Sequence, residues 1–154
     1  MSNSNNKPTF KLKIIQQNCQ HSIAVMGDTA KMMCEGVGDV WILQEPYMLN
    51  RKVAGLGDVR VFYIDDNTRA AIAVPNEDID VFVRGDVSDG DAVFIILNYN
   101  HYTIGVGSIY CPIDTDIEVS IYKMNKGISG FANHPFLLGA DANATSRFWH
   151  SKNI

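Results

Sequence analysis

Asn18, Glu45, Tyr110, Asp141 and Asn143 each stand where a predicted strand ends, and strand ends are where α/β folds gather side chains around a ligand. Asp141 and Asn143 lie two apart in an extended segment, so their side chains leave the same side of the backbone. Two carboxylates and an amide supply hard oxygen ligands, which suit magnesium better than zinc or copper. The sequence offers no thiolate or imidazole cluster. His21, His101, His134 and His150 are dispersed without ligand spacing, and Cys19, Cys34 and Cys111 form no C-x-x-C pair. Taken singly, each candidate has a plainer explanation. Glu45 before Pro46 reads as a solvated turn residue. Asp141 and Asn143 are turn formers, Tyr110 is a packing residue with a satisfied hydroxyl, and Asn18 ends its strand.

The elements that must position these residues follow from the apolar pattern. Phe10, Leu12 and Ile14 alternate with Lys11 and Lys13, the period of a half-buried strand. Ser22 caps a predicted helix with Ile23, Met26, Ala30, Met33, Cys34 and Val37 on one face, stopped by Gly36 and Gly38. Val40 to Leu43 is a short buried strand running into Gln44, Glu45 and Pro46. Further strands are predicted at Val59 to Ile64, Ala70 to Val74, Ile79 to Val83, Val93 to Asn98 and Thr103 to Tyr110, parted by Gly, Asp or Asn clusters. In the last of these, Tyr110 shares parity with Ile104 and Val106 and so faces the core. Thr115 and Glu118 form a capping box for a second helix, with Ile117, Ile121, Met124, Ile128 and Phe131 along one stripe. Pro135 leads into a buried strand, Phe136 to Gly139, which delivers Asp141 and Asn143. Strands arriving in a run between two helices point to a layered α/β sandwich and not to an alternating parallel sheet.

Composition narrows the class. A chain of 154 residues with 46% hydrophobic and 19% charged residues fits one soluble globular domain. The net charge of -4 argues against a polybasic nucleic-acid-coating protein. It leaves a nuclease open, because a few local Lys and Arg can hold a backbone around an acidic metal site. Three cysteines, odd in number and without a C-x-x-C pair, argue against a disulfide framework or structural zinc, and a reducing, intracellular compartment fits. Residues 1–9 read as a disordered polar tail with no signal-peptide core, and residues 10–154 as one domain. The apolar run Val93 to Leu97 is far too short to cross a membrane.

Order and wording join the isolated candidates. Gln17-Asn18, Gln44-Glu45-Pro46-Tyr47, Ser108-Ile109-Tyr110 and Gly139-Ala140-Asp141-Ala142-Asn143-Ala144 resemble the successive motifs of the endonuclease/exonuclease/phosphatase superfamily. The stretch Ala140 to Ser151, an A-D-x-N-A-x-S-x-x-W pattern, resembles the endonuclease domain of non-LTR retrotransposons in particular. The resemblance implies a deoxyribonuclease I-like four-layer α/β sandwich and magnesium-dependent nicking of double-stranded DNA in the nucleus, with manganese as a substitute ion. A reverse transcriptase region in the same polyprotein is an implied partner. Residue by residue, it implies that Glu45 binds magnesium and that Asn18 helps hold the metal and phosphate. It implies that Tyr110 contacts the scissile phosphate, that Asp141 positions or activates the attacking water, and that Asn143 stabilises the pentacovalent state.

Two departures weigh little: Gln20 stands where many members carry an acidic residue, and Ala140 precedes Asp141 where glycine is more common. A third weighs more. The family fold continues with further strands, a late aspartate and a Ser-Asp-His motif. The expectation is therefore an incomplete domain, truncated on its C-terminal side, with little or no nuclease activity. An inactive remnant serving as a binding module is the alternative. A phosphorylated lipid, nucleotide or inositol substrate is a third reading.

Overall fold

The computed structural model describes residues 11–131 and 133–143. The tail over residues 1–9, Phe10 and the Ala144 to Ser151 part of the last motif lie outside the described residues. The elements in chain order are β1 (Ile14–Asn18), α1 (Ile23–Cys34), β2 (Val40–Gln44), β3 (Met48–Leu49), β4 (Lys52–Val53), β5 (Arg60–Phe62), β6 (Ala70–Val74), β7 (Asp80–Val83), β8 (Ala92–Tyr99), β9 (Tyr102–Tyr110), α2 (Ile117–Ile128) and β10 (Phe136–Asp141). They form two four-stranded sheets, ordered β1-β2-β6-β5 and β10-β9-β8-β7, and a β3-β4 hairpin. In each large sheet one pair is parallel, β1 with β2 and β10 with β9.

The layers follow from the two faces of each strand. Val40, Ile42, Ile72, Val93, Ile95 and Val106 meet between the sheets. On the outer face of the first sheet, Trp41, Leu43, Ala71 and Ala73 pack with Met26 and Met33 of α1. On the outer face of the second, Phe94, Ile109 and Leu138 pack with Met124 of α2. Helix, sheet, sheet and helix make the four-layer α/β sandwich that the strand order implies. Strands β2 and β6 are buried along their whole length, which is why they read as unbroken apolar runs.

Four local expectations are corrected. The first strand starts at Ile14 and not near Phe10, because its partner starts at Val40 and the register pairs Ile14 with Val40. In α1, Met26 and Met33 are buried as expected, but Ile23, Cys34 and Val37 are exposed. The capping box of α2 does not form: Asp116, not Thr115, caps the helix and accepts from the Glu118 amide at 3.1 Å. The expected stripe is met in part: Met124 packs inward and Phe131 is buried, but Ile117, Ile121 and Ile128 are exposed while Ser120 and Gly127 are buried. The cause is Gly127, whose missing side chain lets the helix backbone rest on the Phe94 ring; a Cβ there would overlap that ring.

Candidate active site

Parallel pairing brings the candidate residues to one rim. The β1–β2 register sets Asn18 opposite Gln44, next to Glu45, and the β10–β9 register sets Asp141 opposite Tyr110. Asn18 then crosses between the sheets, donating through Nδ2 to Asp141 Oδ2 at 2.6 Å, while its Oδ1 accepts from the Gln20 amide at 2.8 Å. Below the rim, fully buried Gln44 donates to Ser108 Oγ at 3.1 Å, and Ser108 donates to the Leu43 carbonyl at 2.8 Å. Gln16 adds a bond to the Ala140 carbonyl at 3.1 Å. The sheets also approach closely at Gly139, where a Cβ would lie 2.6 Å from Ile42 Cγ2. These paired polar groups fix the sheet spacing beneath the site, since a buried polar group left unpaired is costly.

Glu45 sits on an unusual backbone. Its φ is +49°, a left-handed conformation that costs a residue with a Cβ about 1–2 kcal/mol, and the following Pro46 restricts it further. Two backbone bonds hold it there: its amide donates to the Arg69 carbonyl at 2.8 Å, and its carbonyl accepts from the His21 amide at 2.8 Å. Strain of this kind concentrates at working sites.

Tyr110 joins the two carboxylates. Its hydroxyl lies within the electrostatic reach of the Glu45 carboxylate. Burial first, then the charge and hydrogen bond of Glu45, raise its pKa above the ordinary tyrosine value; Asp141 adds to the rise and Arg69 opposes it. The phenol is thereby kept as a proton-bearing donor. The Arg69 guanidinium lies 4.8 Å from the centre of the Tyr110 ring and makes a two-pronged ion pair with Asp91 at 2.7 and 2.8 Å. The Asp91 carbonyl in turn accepts from the Tyr110 amide at 2.8 Å.

The structure therefore links Asn18 to Asp141 through a side-chain bond and sets Tyr110 beside the Glu45 carboxylate. Asn143 stands just past the end of β10, with its Nδ2 donating to the Cys111 carbonyl at 3.0 Å. Two residues that sequence reasoning left out also reach the rim. Arg69 is the residue just before β6; a charged residue leading into an otherwise apolar strand was the available signal. His21 comes from the β1–α1 loop, with Nε2 3.6 Å from Glu45 Oε1 and Nδ1 3.3 Å from the Pro46 carbonyl. No spacing in the sequence announces it. Beside the rim opens a cleft of 740 Å³ whose wall includes His21, Arg69, Asp91 and Lys123.

Among the described residues no group of three or more His, Cys, Asp or Glu side chains could hold a metal ion. The Glu45 and Asp141 carboxylates and the Asn18 amide oxygen are hard donors. Such a sparse set fits magnesium, which keeps several waters and takes one or two carboxylates with substrate phosphate.

No family model matches the chain. Over 144 residues it is 24% identical to a 115 kDa protein of the type-1 retrotransposable element R1DM of Drosophila melanogaster, covering 94% of this chain and 14% of that protein. Among solved structures it is similar to the endonuclease domain of TRAS1, a telomere-specific non-LTR retrotransposon, with a TM-score of 0.78 and 25% identity over 92% of this chain and 64% of that one. D. rerio TDP2 complexed with a single-strand DNA product matches at a TM-score of 0.57 and 13% identity, covering 88% of this chain and 62% of that one. An endonuclease/exonuclease/phosphatase family protein from Leptotrichia buccalis matches at 0.54 and 18%, covering 87% and 67%. The last two likenesses speak to fold alone. The chain has the deoxyribonuclease I-like sandwich, and in sequence and structure it resembles the endonuclease domain of non-LTR retrotransposons. It spans about a seventh of the curated relative and less than two thirds of the solved TRAS1 domain.

Proposed function

We propose that this chain carries the metal- and phosphate-binding part of a DNA endonuclease of the non-LTR retrotransposon type, which hydrolyses phosphodiesters in double-stranded target DNA with magnesium. The observation that carries the reading is the Asn18–Asp141 bond of 2.6 Å, which ties a first-sheet amide to a second-sheet carboxylate beside the Glu45–Tyr110 pair. The resemblance to the TRAS1 domain supports it.

The residues divide the work as follows. Asp141, oriented by Asn18, holds a water and takes its proton as the water attacks phosphorus and the P–O ester bond breaks. The Tyr110 hydroxyl, kept protonated by its surroundings, turns from Glu45 to donate to a non-bridging phosphate oxygen. Asn143 supplies a second fixed dipole as charge builds on the phosphoryl oxygens. Glu45 and the Asn18 oxygen would hold magnesium, which would supply positive charge to offset that on the phosphate and the leaving oxygen. Arg69 steadies the Tyr110 ring and adds positive charge beside the scissile group. Action on chromosomal DNA implies a nuclear setting, and a reverse transcriptase region in the same polyprotein is a fitting partner. No helix among the described residues is long and apolar enough to cross a membrane.

One observation favours a non-catalytic binding module as the second reading: among the described residues, the histidine at the rim, His21, faces Glu45 and not Asp141. A missing acid–base partner typically costs about 10²–10⁴-fold in rate. The test is nicking of supercoiled plasmid in magnesium. The proposal expects slow conversion to open circles that stops in Asp141→Ala and with EDTA. Duplex binding without any nicking would favour the second reading, and nicking that survives both controls would contradict the site assignment.

A further inference from the structure

The contact between His21 and Glu45 lies outside the roles just described. The Pro46 carbonyl can only accept, so the 3.3 Å approach of Nδ1 requires the proton to be on Nδ1. In the neutral ring this leaves a lone pair on Nε2, which faces the Glu45 carboxylate oxygen at 3.6 Å. A proton on Nε2 would make this contact an ion pair; with the ring neutral, the two facing donors can instead share a bound cation. A hydrogen bond from the far ring nitrogen to a backbone carbonyl is also how metal-binding histidines are commonly oriented. The separation suits a shared ion, because bonds of about 2.0–2.2 Å put two donors on one ion roughly 3.0–3.6 Å apart.

The backbone sets this separation in advance. Gln20, His21 and Glu45 all have positive φ, at 53°, 51° and 49°, and the bond from the His21 amide to the Glu45 carbonyl, 2.8 Å, ties the two segments together. His21 is also a wall of the 740 Å³ cleft, so water or a substrate oxygen can reach the remaining coordination positions.

We infer that His21 Nε2 and Glu45 Oε1 form a two-donor divalent-cation site that prefers borderline transition ions, from manganese towards zinc, over magnesium. The inference rests on Glu45 being a metal ligand, as proposed above. Its basis is the donor chemistry: magnesium gives up water reluctantly and favours oxygen, whereas imidazole suits the transition ions and strengthens along the series towards zinc. His21 thus sets which ion the site selects.

The experiment is titration of histidine-¹⁵N-labelled protein with zinc chloride or magnesium chloride, read by the imidazole nitrogen signals and by calorimetry, with His21→Gln and Glu45→Gln alongside. Zinc is expected to shift the His21 Nε2 signal and to bind more tightly than magnesium. His21→Gln is expected to lower zinc affinity at least about tenfold and leave magnesium affinity unchanged, while Glu45→Gln lowers both. Equal zinc affinity in wild type and His21→Gln, or a His21 signal that reports only an imidazolium paired with Glu45, would overturn the inference while leaving magnesium at Glu45 intact. Binding of both ions unaffected by Glu45→Gln would overturn the inference together with the reading of Glu45 as a ligand.

Discussion

The two halves of the sandwich solve the same packing problem in different ways. The first sheet is sealed by side chains of α1, with Met26 and Met33 lying over Trp41 and Leu43. The second is covered by Met124 together with helix backbone, with α2 pressed onto Phe94 at Gly127 and Ile117, Ile121 and Ile128 left facing out. Each helix contains a glycine, Gly27 within α1 and Gly127 in the last turn of α2, yet Gly27 has nothing within 4 Å of where a Cβ would be, while Gly127 has no room for one. The same contrast runs into the site. The first sheet presents Glu45 on a left-handed, pre-proline backbone held by two bonds, whereas the second presents Asp141 from a strand still in register with Tyr110. A glycine in a helix is a defect in one half and a requirement in the other, and only the neighbour across the layer decides which.

Substituting the two glycines breaks or sharpens this contrast. Gly127→Ala gains helix propensity but forces α2 off Phe94, so a net loss of roughly 3 kcal/mol is expected by urea denaturation. Unchanged stability would mean that α2 is held by its other contacts. The next effect belongs to the first half alone. Cys19 is fully buried, and burial first, then the charge of Glu45, raises its thiol from the ordinary 9.0 to about 11. The folded state disfavours the thiolate, so this contribution to stability is fully present below pH 9 and lost as pH rises through 9 towards 11. The loss approaches about 2–3 kcal/mol. Denaturation midpoints across that range are expected to fall more steeply in wild type than in Cys19→Ala, and parallel slopes would remove Cys19 from the account. The smallest effect is Gly27→Ala, expected to stabilise by about 1 kcal/mol because the new methyl meets open space and the helix gains propensity. A loss there would erase the contrast with Gly127.

Much of the sandwich was legible because strand periods and buried runs are local properties. Strands β2, β6, β8 and β9 and the inward parity of Tyr110 followed from pattern alone. The β3–β4 hairpin did not, because its turn residues, Asn50 and Arg51, both take positive φ without the glycine that usually marks such a turn. The stripe of α2 was right at Met124 and Phe131 but misled at its isoleucines, because they outweighed Gly127 in any hydrophobicity reading while the packing there depended on the absence of a side chain. At the rim, Asn18, Glu45, Tyr110 and Asp141 were expected together from the order and wording of their motifs at strand ends, and parallel pairing brings them to one edge. Arg69 and His21 were not, since one reaches the rim by antiparallel pairing and the other by a loop, and neither route leaves a spacing in the sequence.

The central claim is that the ends of both sheets form one site for a divalent ion and a DNA phosphate. Backbone and tyrosine-ring NMR signals, followed as magnesium and a short duplex are added together, test it most directly. The account predicts that the perturbed signals cluster at Asn18, Glu45, Arg69, Tyr110 and Asp141, and that Glu45→Gln removes the magnesium-dependent part across both sheets. Perturbations confined to one sheet, or duplex shifts on a remote face that ignore Glu45→Gln, would contradict it.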